Sequence, residues 1–186
     1  MRMLTTAALV CAAISSAAKA EPKLERGFAG ALRGCEEWVL NPAIWTSGTG
    51  PFLATVGLGE QMGLVDQVDE VSLPPRPLRR ANRYWRINST LDAGFILVVS
   101  DDLPMCHITG GGSTDLQPSV EAVLSSAEFS RRWNLEQGSV NNGMTTTVFR
   151  HREAPQFSMM VSRAERSGER LDRVQVLATA MYRVAN

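Results

Sequence analysis

The segment at residues 104–115, PMCHITGGGSTD, holds the densest group of chemically active residue types in this chain. It places a cysteine, one of only 2 histidines, three consecutive glycines and three hydroxyl side chains close together. Glycines that lead into a helix let backbone N–H groups converge on an anion, and the helix dipole favours the negative charge. The predicted ligand-binding residues of this segment are Gly110, Gly111, Gly112, Ser113 and Thr114. The alternative is that the glycines only allow a sharp turn from strand to helix.

His107 is the candidate catalytic residue of this segment. An imidazole beside an anion-binding loop can act as a general acid or base in a small hydrolase, with Gly110–Gly112 as the anion hole. The nucleophile of such an enzyme would be Ser113 or Thr114. The chain has no P-loop lysine at the glycines, no G-x-G-x-x-G and no G-x-S-x-G motif. A binding role is therefore favoured over catalysis.

The second histidine, His151, lies on a predicted strand and can meet His107 only if the two strands are neighbours. Two histidines without short ligand spacing are a weak zinc signal, because a zinc site needs three or four protein ligands. We predict no metal site and no cofactor.

Arg83 and Arg86 are the second set of predicted ligand-binding residues. They belong to RPLRRANRYWR at 76–86, where five arginines are interleaved with Tyr84 and Trp85. Guanidinium groups bind carboxylates and phosphates in a fork-like geometry. The alternative is a solvated connection whose arginines are neutralised by nearby acidic residues.

The first residues of the chain predict export. Arg2 precedes an apolar run at 3–14, and small residues flank Lys19 at the end of the segment. We predict that residues 1–20 are a cleaved secretory signal peptide and that residues 21–186 form one domain. The predicted location is periplasmic or secreted.

Two cysteines remain after the predicted cleavage removes Cys11. A single possible pair in an oxidising compartment predicts a disulfide between Cys35 and Cys106. The bond would close a loop of about 70 residues, which chain entropy values at about 4 kcal/mol. A disulfide-bonded Cys106 has no thiolate, so it would not serve as a nucleophile.

Charge and hydropathy narrow the classes of partner. The whole chain has 19 basic and 19 acidic residues, and removing Arg2 and Lys19 leaves a net charge of about −2. This balance argues against nucleic acid as a partner. The predicted partners are an anionic small molecule, a cell-wall polymer or an envelope protein. No apolar run after the signal is long enough to span a bilayer, so we predict no transmembrane segment in the mature chain.

The hydrophobic periodicity predicts an α+β fold. Two main helices are expected at 24–40 and 115–129, the second with Thr114 in a capping box. Residues 110–112 would then form the loop before that helix. The predicted strands, including a hairpin at Asn142-Gly143, lie at 51–59, 62–71, 83–89, 94–100 and 105–109 and in a meander over the last third.

These features predict a single two-layer domain, with the helices packed on a mostly antiparallel sheet whose strand order is not specified. The predicted function is a small secreted or periplasmic binding or interaction protein. The alternative is an extracytoplasmic hydrolase that uses His107.

Overall fold

The computed structural model describes residues 19–46 and 48–182, so the predicted signal peptide lies outside these ranges except for its last two residues. The strands are β1 (Met62–Val65), β2 (Asn82–Asn88), β3 (Ala93–Ser100), β4 (Met105–Gly112), β5 (Trp133–Asn141), β6 (Met144–His151), β7 (Phe157–Ala164) and β8 (Arg173–Tyr182). The helices are α1 (Pro22–Leu40), α2 (Ala43–Thr46), α3 (Thr49–Val56), α4 (Gln117–Leu124) and α5 (Ala127–Arg132). The strands form one antiparallel sheet in the order β1-β2-β3-β4-β8-β7-β6-β5. The α+β prediction is confirmed.

Helix α1 packs across the middle of the sheet, over β3 and β4. Its apolar residues recur every three or four positions, so Leu24, Phe28 and Leu32 share one buried face. Glu21 caps the helix by accepting a hydrogen bond from the backbone N–H of Lys23 at 3.2 Å. We call the sheet face covered by α1 the inner face and the opposite face the outer face.

The disulfide joins Cys35 of α1 to Cys106 of β4, with the two Cα atoms 5.4 Å apart. Both cysteines are buried in the core between helix and sheet. The predicted pairing is confirmed, and it ties the main helix to a central strand. Within the described residues, no helix combines the length and apolar character needed to cross a bilayer.

The alternation of buried and exposed residues that the sequence predicts for β2 is also confirmed. Trp85 and Ile87 of β2 are buried on the inner face, whereas Arg86 between them is exposed. The last four strands follow the predicted meander, and the β5–β6 hairpin turns at Asn142 and Gly143, whose φ angles are 51° and 69°.

Residues 51–59, predicted as a strand, belong mostly to helix α3, so that prediction is wrong. Phe52 and Val56 lie one helical turn apart and are both buried. Gly34 of α1 allows the approach, because a Cβ there would lie 3.1 Å from Val56 and 3.4 Å from Phe52. Helix-on-helix packing, rather than local β propensity, therefore decides the conformation of this segment.

The second predicted helix, at 115–129, is two short helices, α4 and α5, because Ser126 leaves the helical conformation and caps α5. The predicted capping box is also wrong. Asp115, not Thr114, accepts the hydrogen bond from the backbone N–H of Gln117, at 3.1 Å.

The connection from β1 to β2, residues 66–81, crosses the outer face of the sheet, and we call it the strap. Leu73 of the strap lines a cavity together with His107 of β4. The strap is fastened to itself by Arg79, whose Nη1 lies 2.7 Å from a carboxylate oxygen of Glu70. The central part of the outer face is therefore partly covered, and this is where the candidate site lies.

Candidate functional site

The three consecutive glycines lie inside β4, paired with β3 on one side and β8 on the other. The predicted loop at 110–112 is therefore wrong. Gly110 is required because a Cβ there would lie 2.6 Å from Phe95 and 2.7 Å from Val176, which fill the core beneath it. The pairing with β8 shifts between Gly110 and Gly111, which is a β-bulge.

The last two glycines allow close approach of neighbouring backbones. A Cβ on Gly111 would lie 2.5 Å from the carbonyl oxygen of Arg173, and one on Gly112 would lie 2.1 Å from that of Asp92. Gly112 also has a φ of 134°, which side chains rarely adopt. N–H groups of a strand paired on both sides serve the sheet ladder, so they do not converge on an anion as predicted.

The bare backbone of these glycines instead forms part of the floor of a groove of about 880 Å³ on the outer face. Gly94 of the neighbouring strand β3 extends the same floor, and the strap forms one wall through Val71. Other residues that line the groove are Ser72, Asn88, Ile96, Thr109 and Val174. The groove therefore combines a floor of exposed backbone with a few apolar side chains.

Several charged residues line this groove. Arg86 lies on β2 and Arg173 on β8, so strands β3 and β4 separate the two guanidinium groups. Neither arginine forms an ion pair with any described residue. Arg170, Asp69 and Asp172 also line the groove, which gives three basic against two acidic side chains. Arg170 also forms no ion pair in the described chain, but its Nε donates a hydrogen bond of 2.8 Å to the backbone carbonyl of Val174. The groove therefore offers the guanidinium groups of Arg86 and Arg173 to a ligand.

The structure places only some of the predicted binding residues here. Arg86 and the three glycines line the groove, whereas Ser113 and Thr114 are not part of its lining. Arg83 is engaged elsewhere: its guanidinium forms two contacts of 2.9 Å with Asp101 and lies 5.8 Å from the ring centroid of Trp38.

Arg173 and Thr109 line the groove but were not predicted from the sequence as binding residues. Arg173 is more than 80 positions from Arg86 in the chain, and only the pairing of β8 with β4 brings it to the groove. Thr109 could have been found from the alternation of β4, which sends His107 and Thr109 to the same face.

His107 is buried beneath the strap, with 3% of its surface exposed. Its Nδ1 lies 2.8 Å from Oγ1 of Thr179, and its Nε2 lies 3.1 Å from Oγ1 of Thr109. Burial lowers the pKa of His107 from its ordinary 6.5 to about 4. The imidazole is therefore neutral at pH 7, with one ring nitrogen donating and the other accepting.

The two threonine hydroxyls lead to different spaces. Thr109 lines the outer groove, whereas Thr179 lines a second cavity, of about 340 Å³, between the sheet and the strap. His107 thus connects the two spaces through a hydroxyl–imidazole–hydroxyl chain. The nucleophiles considered from the sequence, Ser113 and Thr114, make no hydrogen bond to His107 within the described chain.

His151 does not meet His107, because strands β8 and β7 separate β6 from β4. It lies instead on the inner face, where its Nδ1 accepts a hydrogen bond of 3.1 Å from the backbone N–H of Ala154. Its Nε2 lies 4.0 Å from a carboxylate oxygen of Glu36. Burial lowers the pKa of His151. Both ring nitrogens therefore face groups of the protein itself.

Glu36 is a buried carboxylate that the sequence reading did not single out. Trp133 donates its indole N–H to Oε1 at 2.6 Å, and the guanidinium of Arg132 pairs with Oε2. Burial raises the pKa of Glu36, and the charge of Arg132 opposes that rise. The sequence did indicate that Glu36 could be buried, because it directly follows a cysteine on the buried face of α1. This network anchors α1 to β5.

Among residues 19–46 and 48–182, no three histidine, cysteine, aspartate or glutamate side chains cluster in a way that could hold a metal ion. Comparison with protein families, with curated proteins and with solved structures found no match to this chain.

Proposed function

We propose that the protein is a small secreted or periplasmic binding protein, a single two-layer α+β domain whose outer groove takes an anionic small molecule. The observation that carries this proposal is the pair Arg86 and Arg173, two guanidinium groups without ion-pair partners in the described chain, beside a groove of about 880 Å³. Arginine binds carboxylate and phosphate groups through two parallel hydrogen bonds.

The size and floor of the groove suit a small ligand. Pockets for small molecules and cofactors commonly measure about 300–1,000 Å³ and combine apolar walls with a few polar groups. Because glycines form much of the floor, a flat molecule can lie close to the sheet between the two arginines. Val71 and Ile96 offer contacts to an apolar part of the same ligand. The open groove also suits one residue of a cell-wall polymer or of an envelope protein.

Two features support export. The first twenty residues have the composition of a secretory signal, and cleavage before Glu21 would leave that residue at the start of α1 as its cap. The Cys35–Cys106 disulfide is of a kind that persists in oxidising compartments. Intact-mass measurement of protein from the native envelope fraction should give residues 21–186, and recovery of the uncleaved chain from the cytoplasm would contradict this.

The alternative function, an extracytoplasmic hydrolase that uses His107, has one supporting observation. Thr109 lines the groove and its hydroxyl lies 3.1 Å from Nε2 of His107, which is a distance suited to a nucleophile and its base. Two features favour binding instead. A pKa of about 4 makes the imidazole a weak base at pH 7. The orienting group, Thr179, is a neutral hydroxyl that gives little stabilisation to an imidazolium.

Isothermal titration calorimetry with D-glucuronate and with inorganic phosphate tests the binding proposal. We expect at least one of these anions to bind, and the double substitution Arg86→Ala/Arg173→Ala to weaken it by about tenfold or more, since charged hydrogen bonds contribute about 1.5–3 kcal/mol each. Arg131→Ala is the control, because Arg131 is exposed on α5 and forms no ion pair in the described chain. Equal affinity of the two variants, or no binding of either anion, would contradict the proposal.

An esterase assay with p-nitrophenyl acetate tests the alternative. Thr109→Val removes the hydroxyl that lies beside His107, whereas Thr114→Val removes a hydroxyl outside the groove. Turnover that is lost in the first variant and kept in the second would favour the hydrolase. We expect no turnover above the uncatalysed rate in the unmodified protein.

A further inference from the structure

Strand β5 forms a long open edge of the sheet. Its first residue, Trp133, is buried, and each of the following residues, 134–141, is exposed. Among the described elements only β6 pairs with it. The opposite edge of the sheet, β1, has only four residues. An open edge presents unpaired N–H and C=O groups that can receive another strand.

Two large apolar side chains lie on the same face of this edge. Leu135 pairs with Phe149 and Val140 pairs with Thr145 of β6, and these two partners face the inner side of the sheet. The odd spacing between Leu135 and Val140 is absorbed by Glu136, the extra residue of a β-bulge. Leu135 is 68% exposed and Val140 is 61% exposed, so most of each apolar side chain faces solvent.

We propose that β5 pairs antiparallel with β5 of a second copy of this chain, which makes the protein a two-fold dimer with a continuous sheet. A two-fold axis at Gly138 sets each inner-face position against an inner-face position. Val140 then lies beside the bulge formed by the partner's Leu135 and Glu136, so the two exposed apolar residues bury each other. On the outer face, Gln137 meets the partner's Ser139.

The charge pattern of the edge fits this self-pairing. Residues 134–141 contain no lysine, arginine or proline, which are the residues that commonly protect an edge strand. Their one charge, on Glu136, is paired with Arg150, whose Nε lies 2.5 Å from the carboxylate. In the dimer the two Glu136 residues are four positions apart along the strand, or about 13 Å, so they repel each other only weakly.

A second copy is favoured over an unrelated strand because the same short segment supplies both halves of each apolar contact. A contact between two strands is small for a protein interface, so we expect a dissociation constant in the micromolar range. The outer groove lies over β2, β3, β4 and β8. Dimer formation at β5 therefore leaves the groove open. A result that contradicts the dimer does not contradict ligand binding in the groove, and the reverse also holds.

Sedimentation velocity over a concentration series tests the dimer. Val140→Lys places a charge in the apolar contact and should raise the dissociation constant at least tenfold. Leu64→Lys is the matched control, because Leu64 is an exposed apolar residue (53%) on β1, at the opposite edge of the sheet, and it should leave the dimer unchanged. Far-ultraviolet circular dichroism and the melting temperature confirm that both variants are folded.

Hydrogen exchange locates the contact independently of any variant. We expect amides within 134–141 to become more protected as the protein concentration rises, while those of β1 do not change. A protein that remains monomeric at high micromolar concentration would overturn the proposal. A dimer that persists in the Val140→Lys variant, without concentration-dependent protection of β5, would also overturn it.

Discussion

Acidification is expected to destabilise the protein through His107. The folded chain keeps this imidazole neutral down to about pH 4, whereas the unfolded chain protonates it near its ordinary pKa of 6.5. A group whose pKa is lowered by folding binds protons preferentially in the unfolded state. The stability that depends on neutral His107 is therefore fully present above pH 6.5 and is lost as the pH falls towards 4.

The size of this effect follows from the two pKa values of His107, 6.5 and about 4. One pKa unit corresponds to about 1.4 kcal/mol, so the full loss below both values is about 3 kcal/mol. At about pH 5 the unfolded imidazole is almost fully protonated and the folded one is largely neutral, which leaves a loss of about 2 kcal/mol.

Urea denaturation at about pH 8 and about pH 5 measures this loss. His107→Gln is the comparison, because glutamine keeps a donor and an acceptor for Thr109 and Thr179 but does not titrate. The pH-dependent loss should be smaller in the variant by about 2 kcal/mol. His151 and Glu36 are present in both proteins, so their contributions cancel. Equal losses, or an NMR titration of His107 near its ordinary pKa, would refute the reasoning.

Three further perturbations have defined outcomes. Replacing both Cys35 and Cys106 by alanine removes a cross-link between positions 71 residues apart, and urea midpoints should report a loss of about 4 kcal/mol; an unchanged midpoint would show that the bond adds no stability. Gly112→Ala should cost about 1–3 kcal/mol because of its φ of 134° and the nearby backbone, whereas Gly63→Ala, which meets open space, should be nearly neutral. Glu36→Ala should cost about 2–3 kcal/mol and change the tryptophan fluorescence, because it leaves an indole N–H and a guanidinium without their buried acceptor. A fully stable variant would contradict this role.

The elements that the sequence predicts correctly are those that a local residue pattern specifies. The spacing of Leu24, Phe28 and Leu32 predicts α1, and the alternation around Trp85 predicts β2. The Asn-Gly pair predicts the β5–β6 turn, because both positions need a positive φ. The single pair of cysteines that remains after the predicted cleavage predicts the disulfide. Each of these signals depends on neighbours in the chain or on a unique partner.

The glycines were misread because their cause lies in distant parts of the chain. Position 110 requires glycine because Phe95 and Val176 occupy the space that a side chain would need. Position 111 requires glycine because the backbone at Arg173 passes close to it. A sequence motif of consecutive glycines is equally typical of a loop and of a crowded strand. Only the strand order, which places β8 beside β4, distinguishes the two cases.

The candidate site was predictable in part for the same reason. Arg86 was found because it lies in an arginine-rich segment, but Arg83 in that segment is held by Asp101. Arg173 carries no local signal and reaches the groove only through sheet topology. The burial of His107 was also hidden, because the strap that covers it returns over the sheet from an earlier part of the chain.

An NMR titration of the ¹⁵N-labelled protein with D-glucuronate and inorganic phosphate tests the central claim most directly. Binding in the outer groove predicts saturable shifts of the amides of Gly94, Gly111, Gly112 and Arg173, and loss of these shifts in the Arg86→Ala/Arg173→Ala variant. Saturable shifts confined to the helices of the inner face, or no saturable shift with either anion at millimolar concentration, would contradict it.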